Sequence, residues 1–191
     1  MSSFIIILVG VSGAGKTTLK NFACKAKNLQ HMLSVTDRPK RKSEKHKKDK
    51  FFVTSNQFIE LMQKQKLSFT QKVFGNNYGF FSECFTNGKN YICEIYYENI
   101  SDFKKFHKHC AVIYVKPYDI QLAIKGVQNR GAKEKEILTR LQTITGENLI
   151  LENLEKNHFF DFTFINHYDK NSKKEFYNLI QQIIENKDKY E

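Results

Sequence analysis

Several features that would place this chain in other protein classes are missing from its sequence. Its four cysteines, Cys24, Cys84, Cys93 and Cys110, are scattered and form no C-x-x-C pair, so neither a zinc site nor a disulfide framework is indicated. No apolar run approaches the roughly 20 residues of a membrane span, and no internal repeat or low-complexity linker is present. We therefore expect a cytoplasmic protein in a reducing compartment, with no membrane segment.

A secretory signal is also absent. The apolar opening Phe4–Val9 lacks a basic flank and a small-residue cleavage site, and it runs directly into a glycine-rich loop. A short β-branched run of this kind predicts a strand that is buried on both faces. Further strands alternate with helices, up to a closing amphipathic helix over Lys173–Asn186. The pattern predicts an α/β fold, a parallel sheet with helices on both faces.

Acidic residues are too few to balance the basic ones. The chain has 31 Lys and Arg against 20 Asp and Glu, a net charge of +11. This excess attracts anions, whether nucleotides, nucleic acids or acidic lipids. Much of it lies in Arg38–Lys50, which has no periodicity and is predicted to be a loop. Because aromatic residues are not interleaved before Phe51 and Phe52, nucleic-acid binding is the weakest hypothesis for this segment.

Residues 10–17 read G-V-S-G-A-G-K-T and match the pattern G-x-x-x-x-G-K-[ST] in full. The backbone N–H groups of such a P-loop turn inward around a phosphate, which requires glycine where a Cβ would intrude. The following helix, predicted over Thr17–Ala26, presents its free N–H groups to the same anion. Lys16 can reach the β- and γ-phosphates, and the Thr17 hydroxyl can coordinate Mg²⁺. The donor site is therefore predicted to hold ATP and Mg²⁺ at Gly10, Ser12, Gly13, Ala14, Gly15, Lys16, Thr17 and Thr18.

The P-loop alone does not specify a reaction, since GTPases, motors and kinases share it. Further motifs resemble the guanylate kinase family. Residues 34–41, S-V-T-D-R-P-K-R, resemble its S-x-x-T-R-x-x-R signature, and residues 76–79, N-N-Y-G, resemble its N-Y-Y-G. Residues 128–131, Q-N-R-G, resemble its R-G-R-G lid, Arg140-Leu141 its second lid arginine, and residues 164–166, F-I-N, its V-x-N near the adenine. The five motifs follow the family's order across nearly the whole chain.

This resemblance implies a single domain over residues 1–191. Its core would comprise residues 1–33 and 89–191, with a helical lid at about residues 126–150 and an inserted, mixed α/β acceptor-binding lobe at about residues 34–88. It implies transfer of a phosphoryl group from ATP to a small phosphorylated acceptor, GMP in the family. It places the acceptor at Ser34, Arg38, Arg41, Lys50 (where the family has tyrosine) and Tyr78, and the donor base near Asn166. The oligomeric state, monomer or homodimer, is left open.

Elementary chemistry supports several of these roles. The guanidinium group of arginine can donate two parallel hydrogen bonds to the oxygens of one phosphate, so Arg38 and Arg41 are suited to bind an acceptor phosphate. Negative charge develops on the phosphoryl group during its transfer, and cationic side chains stabilise it. A lid that closes over the site excludes water. The catalytic candidates are therefore Lys16, Arg130 and Arg140. Glu94 follows a buried apolar run where the family has aspartate; it could hold the Mg²⁺ shell or could pair with a neighbouring lysine.

The chain departs from the family where the guanine base is read. Alignment on the N-N-Y-G motif puts Phe69 in place of an acid, Phe80 in place of a hydroxyl residue and Tyr96 in place of a second acid. Glu60 and Glu83 are close enough in sequence to act as substitutes. A site that hydrogen-bonds the polar edge of a base discriminates against other bases by a factor of about 10⁴, and a site without those partners loses this selectivity. The identity of the acceptor is therefore left open.

Three functions remain at this point. The first is a nucleoside monophosphate kinase of guanylate kinase type with altered base choice. The second is a kinase for another acceptor, such as ribose 1,5-bisphosphate or a different nucleoside monophosphate. The third is a binding module whose kinase site has decayed, against which the presence of Lys16, Thr17 and both lid arginines argues.

Overall fold

The computed structural model describes residues 2–26, 28–42, 44–129 and 134–190, with residues 134–136 as backbone alone. Its described residues form nine strands: β1 (Phe4–Val9), β2 (Gln30–His31), β3 (Ser34–Thr36), β4 (Phe51–Phe52), β5 (Leu67–Val73), β6 (Asn76–Phe81), β7 (Asn90–Glu94), β8 (Cys110–Pro117) and β9 (Phe162–Asn166). They also form six α-helices: α1 (Lys16–Ala23), α2 (Ser55–Gln63), α3 (Ile100–Phe106), α4 (Ile120–Gln128), α5 (Glu134–Lys156) and α6 (Lys170–Glu185).

Five strands form a parallel sheet in the order β2-β7-β1-β8-β9. The central strand β1 is buried along its whole length, as its continuous apolar sequence requires of a strand covered on both faces. Helix α1 packs against α6 and β7, while α4 packs against α5 and β8. The predicted α/β fold with a parallel sheet is confirmed. No helix within the described ranges is long and apolar enough to cross a membrane.

The parallel arrangement brings distant residues to one edge of the sheet. The strands β1, β7 and β9 end at Val9, Glu94 and Asn166, and neighbouring strands run in the same direction. Leu8 lies beside Glu94 in the strand register, so the start of the P-loop and the Glu94 carboxylate are neighbours. Ligands of open α/β sheets bind at this carboxyl edge.

A second, four-stranded sheet has the order β4-β3-β6-β5 and both parallel and antiparallel pairs. Helix α2 packs against β5, and Val35, Phe58 and Leu67 form a separate buried apolar cluster. Burial of a side chain such as Phe58 contributes about 1.5–3 kcal/mol. This sheet lies within the segment that the sequence predicts to be an inserted lobe; the division of the chain into core and lobe remains a prediction.

Some element boundaries differ from those expected. The sequence pattern predicts a helix over Asn56–Gln65 with Ser55 as its N-cap. In the structure Thr54 is the N-cap of α2, because it forms a reciprocal capping box with Gln57. The pattern also predicts a long helix over 133–149, whereas α5 continues to Lys156, since Leu151 in the added turns is fully buried. The two-residue strand β2 was missed, because only its pairing with β7 reveals it.

Candidate active site

The P-loop joins the carboxyl end of β1 to the start of α1. Gly13 and Gly15 both have φ of +87°, in the left-handed region that glycine adopts without Cβ strain. Gly15 is the N-cap of α1 and provides no side-chain cap bond. The N–H groups of the first helical turn are therefore not satisfied by a capping side chain, and together with the helix dipole they favour an anion at this position.

Two predicted catalytic cations meet at this loop. Lys16 folds back over it, and its Nζ donates to the carbonyl oxygens of Gly10 at 2.6 Å and Val11 at 2.9 Å. Arg140 approaches from α5, where its Nη1 donates to the Ser12 Oγ at 2.7 Å. Its guanidinium also lies over the ring of Phe74, 4.9 Å from the ring centroid. The third candidate, Arg130, lies outside the described residues.

Glu94 joins the P-loop helix to the neighbouring strand β7. Its Oε1 accepts from the Thr17 hydroxyl at 3.0 Å and lies 2.7 Å from the Lys20 ammonium. Burial by itself raises the pKa of Glu94, but the ammonium groups of Lys20 and Lys16 outweigh it and hold the pKa well below its usual range. Glu94 is thus an ionised carboxylate beside a hydroxyl, a pair of hard oxygen groups that fits Mg²⁺, and it is also the lysine-paired acid of the alternative interpretation.

On the acceptor side, Glu44 organises the two arginines of the S-V-T-D-R-P-K-R segment. Its carboxylate accepts from the Arg38 Nη2 through both oxygens, at 2.7 and 2.8 Å, and from the Arg41 backbone N–H at 2.9 Å. Arg38 is 5% exposed, whereas the Arg41 side chain is 15% exposed. Arg38 is therefore held in a buried ion pair, and Arg41 is the more accessible cation of the two.

Lys50, Ser34 and Tyr78 form a second acceptor-side cluster. The Lys50 Nζ donates to the Ser34 Oγ at 2.9 Å and lies 5.6 Å from the centroid of the Tyr78 ring. Burial lowers the pKa of the Lys50 ammonium to about 8. Lys50 thus adds a titratable charge at a position where the family has a neutral tyrosine.

This shift predicts a pH dependence of acceptor binding. Lys50 is protonated below about pH 8 and loses its charge above it, so the attraction for a phosphate dianion weakens as the pH rises. We expect the acceptor KM to increase about tenfold between pH 7 and 9.5, the loss of one charge-assisted hydrogen bond, while the ATP KM changes little. Initial rates at varied acceptor concentration measure this, and the increase should disappear in Lys50→Met; the same increase in that variant would refute the assignment.

One cavity of about 630 Å³ connects the P-loop with both acceptor-side clusters. Its described lining includes Lys16, Thr17, Arg41, Lys50 and Tyr78. The donor and acceptor groups predicted from separate parts of the sequence therefore share one space, as two substrates that exchange a phosphoryl group must.

Comparison with known proteins agrees with this geometry. A sequence profile described as guanylate kinase matches residues 2–187. The chain belongs to the guanylate kinase family. It is 30% identical to the guanylate kinase of Prochlorococcus marinus over 183 residues, 93% of this chain and 96% of that protein. It is 28% identical to that of Thermotoga maritima over 172 residues, 87% of this chain and 80% of that protein.

A solved structure shares the fold. The crystal structure of guanylate kinase from Anaplasma phagocytophilum superimposes with a TM-score of 0.70, covering 95% of this chain and 86% of that one at 20% sequence identity. The suspected membership of the guanylate kinase family is confirmed, and so is its α/β architecture.

The resemblance of the N-N-Y-G motif assigns three positions, Phe69, Phe80 and Tyr96, to base reading. Phe69 packs on the Phe103 ring at 4.8 Å between centroids, and Phe80 is buried in the same core. Tyr96 does line the cavity, and its hydroxyl donates to the Glu147 Oε1 at 3.0 Å. Two of the three side chains are therefore not among the described residues that line the cavity.

The proposed substitutes Glu60 and Glu83 also fail, because both are exposed and neither is among the described residues that line the cavity. Asn166 and Ala14 have structural contacts: the buried Asn166 Nδ2 donates to the Ala14 carbonyl at 2.9 Å and so braces the P-loop from β9. Of the remaining donor-site predictions, Thr18 lines the cavity.

Sequence reasoning missed Lys20, Glu44, Gln71, Glu147 and Tyr168, all of which line the cavity. Two signals were available: Lys20 follows Lys16 by one helical turn, and Glu44 follows Arg41 by three residues, within hydrogen-bonding reach. No local signal distinguished Gln71, Glu147 and Tyr168, because long-range packing brings them to the cavity.

Proposed function

We propose that this protein phosphorylates GMP with ATP, forming GDP and ADP. Its membership of the guanylate kinase family supports this activity. The observation that carries the proposal is the continuous cavity, in which a complete P-loop faces a cluster of acceptor-side cations. The family matches do not favour the two alternatives, a kinase for a different acceptor and a decayed binding module.

On the donor side, the P-loop N–H groups and Lys16 bind the triphosphate, and Arg140 supplies a second cation from α5. Thr17 and Glu94 would hold the Mg²⁺, which neutralises phosphate charge when it is bound. Lys20 keeps Glu94 ionised and in place through their 2.7 Å contact. These groups position the γ-phosphate and stabilise the charge that develops on it during transfer.

On the acceptor side, Arg41, Lys50 and Tyr78 are the donors proposed to bind the phosphate of GMP. Arg38 supports them from its buried pair with Glu44. The Ser34 hydroxyl orients the Lys50 ammonium through their 2.9 Å hydrogen bond. In this arrangement several donors on one wall of the cavity hold the acceptor phosphate. The P-loop on the opposite wall holds the triphosphate, so that the two reacting groups face each other.

Arg41→Ala should therefore raise the GMP KM by about 30-fold and the ATP KM by less than about threefold, because a charge-assisted bidentate contact to the acceptor phosphate is lost. Initial-rate kinetics with each substrate varied in turn measure both constants. Lys42→Ala, one residue further along the same loop, is the matched control and should leave both constants unchanged. Equal effects of Arg41→Ala on both constants would remove Arg41 from the acceptor site.

The proposed activity itself is tested by a coupled ADP-release assay with GMP, dGMP, AMP, CMP, UMP, dTMP and ribose 1,5-bisphosphate. We expect GMP to stimulate ADP release strongly. If none of these acceptors did so, the binding-module alternative would replace the proposal.

A further inference from the structure

Gln71 is a polar residue of the cavity wall to which neither the family alignment nor the mechanism assigns a role. It lies on β5 directly opposite Tyr78 of β6, and both line the cavity. Its Oε1 is buried, and among the described residues no hydrogen-bond partner reaches it. Since a buried acceptor without a donor costs about 1–3 kcal/mol, a donor on a bound ligand would stabilise this side chain.

A β-bulge explains why Gln71 faces the cavity. The pairing of β5 with β6 shifts register between Ser68 and Gln71, and Phe69 has φ of +47°. An extra residue in one strand changes which side chains point to which face. Phe69 consequently turns into the core against Phe103, while Gln71 and Val73 line the cavity. The residue that lines the cavity is therefore Gln71, two residues after the position obtained by counting along a regular strand.

The carboxylates of the cavity wall are already engaged. Within the described lining there are four, and each accepts a hydrogen bond from the protein: Glu44 from Arg38, Asp49 from the Lys45 N–H, Glu94 from Thr17, and Glu147 from Tyr96. Gln71 differs from them in having an acceptor atom that nothing within the described part of the chain satisfies. Its unsatisfied acceptor is the observation that points to a ligand donor at this position.

We propose that Gln71 reads the acceptor base, and that the site takes 6-oxopurine monophosphates whether or not they carry a 2-amino group. This inference rests on the proposed function. A carboxylate only accepts hydrogen bonds and so selects guanine through its N1–H and 2-amino donors, but an amide offers both an acceptor and donors. After a turn about its side-chain torsions, the Gln71 Oε1 accepts from the base N1–H while Nε2 donates to O6. Both contacts are available in guanine and in hypoxanthine.

An amide could also turn to face adenine, whose edge has the reverse order of donor and acceptor. The charge of the cavity opposes this, because Arg41 and Lys50, which line it together with Gln71, are cationic donors. Such surroundings favour an oxygen at C6 of the base over an amino group. The inferred substrate class is therefore GMP and IMP, with AMP disfavoured.

The test compares GMP, IMP and AMP as acceptors at saturating ATP, in the wild type, Gln71→Met and Gln71→Glu. For the wild type we expect kcat/KM values for GMP and IMP within about threefold of each other, and a value for AMP at least about tenfold lower. Gln71→Met, which keeps the length but removes both polar groups, should lower kcat/KM for GMP and IMP by about 10- to 100-fold through KM, with the ATP KM unchanged. Gln63→Met, the same change on the exposed face of α2, is the matched control.

Gln71→Glu separates recognition from a structural effect, because a carboxylate needs two donors and should restore GMP preference over IMP by about tenfold. Unchanged kinetics in Gln71→Met, or a wild type that prefers GMP over IMP by about 10³ or turns over AMP as well as GMP, would overturn the inference while leaving the proposed function standing. A wild type that phosphorylates none of the three nucleotides would overturn both.

Discussion

Lys16→Ala is expected to lower kcat for GMP phosphorylation by about 10³-fold or more while the protein remains folded. The Lys16 ammonium lies over the P-loop carbonyls of Gly10 and Val11, where the transferred phosphoryl group is proposed to bind. Preorganised cations of this kind act on charge that develops in the transition state, so their loss appears in kcat. Removal of its hydrogen bonds to these two loop carbonyls is expected to affect stability by only about 0.5–3 kcal/mol.

The measurement combines steady-state kinetics with thermal unfolding followed by circular dichroism. Lys174→Ala, an exposed lysine on α6 that is not among the described residues lining the cavity, provides the control for loss of one surface charge and should retain wild-type rates. If Lys16→Ala kept kcat within about tenfold of the wild type, the proposed P-loop mechanism would be refuted.

Arg140→Ala should produce the second largest loss, about 10²- to 10³-fold in kcat, with a smaller change in KM. Its guanidinium reaches the Ser12 hydroxyl of the P-loop at 2.7 Å and stacks on Phe74. This places it beside the γ-phosphate position, where an arginine stabilises the charge of the transferred group. Its contact with Phe74 also joins α5 to the turn after β5, so the same side chain links donor and acceptor walls.

The conservative variant Arg140→Lys distinguishes charge from geometry. A lysine retains the positive charge, but it cannot stack on the Phe74 ring as a planar guanidinium does or donate two parallel hydrogen bonds. We therefore expect Arg140→Lys to recover less than about a tenth of the wild-type kcat. Full recovery would show that charge alone suffices at this position. An effect of Arg140→Ala confined to the GMP KM would instead assign Arg140 to acceptor binding.

The fold and the donor half of the site could be predicted because their signals are local. An apolar run, a glycine-rich loop and a helix follow one another within residues 4–23, and the chemistry of phosphate binding dictates their order. Arg38 and Arg41 were likewise recognised from their spacing in one segment. The sequence could not show that Glu44 forms an ion pair with Arg38, since this contact depends on the folded conformation of the loop that carries both residues.

The residue that faces the acceptor base could not be predicted, because it depends on the register of the strand. Counting from Tyr78 puts Phe69 at the base, and this count assumes a regular strand. The bulge between Ser68 and Gln71 breaks that assumption and turns Phe69 into the core. An alignment cannot see this change, because a positive φ at a phenylalanine leaves no mark in the sequence.

By itself, the sequence determined that this protein has a P-loop motif, a parallel α/β core and a cationic segment that we propose binds the acceptor, because each follows from residues close together in the chain. Only the tertiary structure decided which side chains face the substrates. In the folded chain, Glu94 and Lys20 form an ion pair beside the P-loop, and Arg140 of α5 donates a hydrogen bond to Ser12. Gln71 lies on the cavity wall. These placements depend on strand pairing and helix packing between distant segments, which the periodicity of any one segment does not contain.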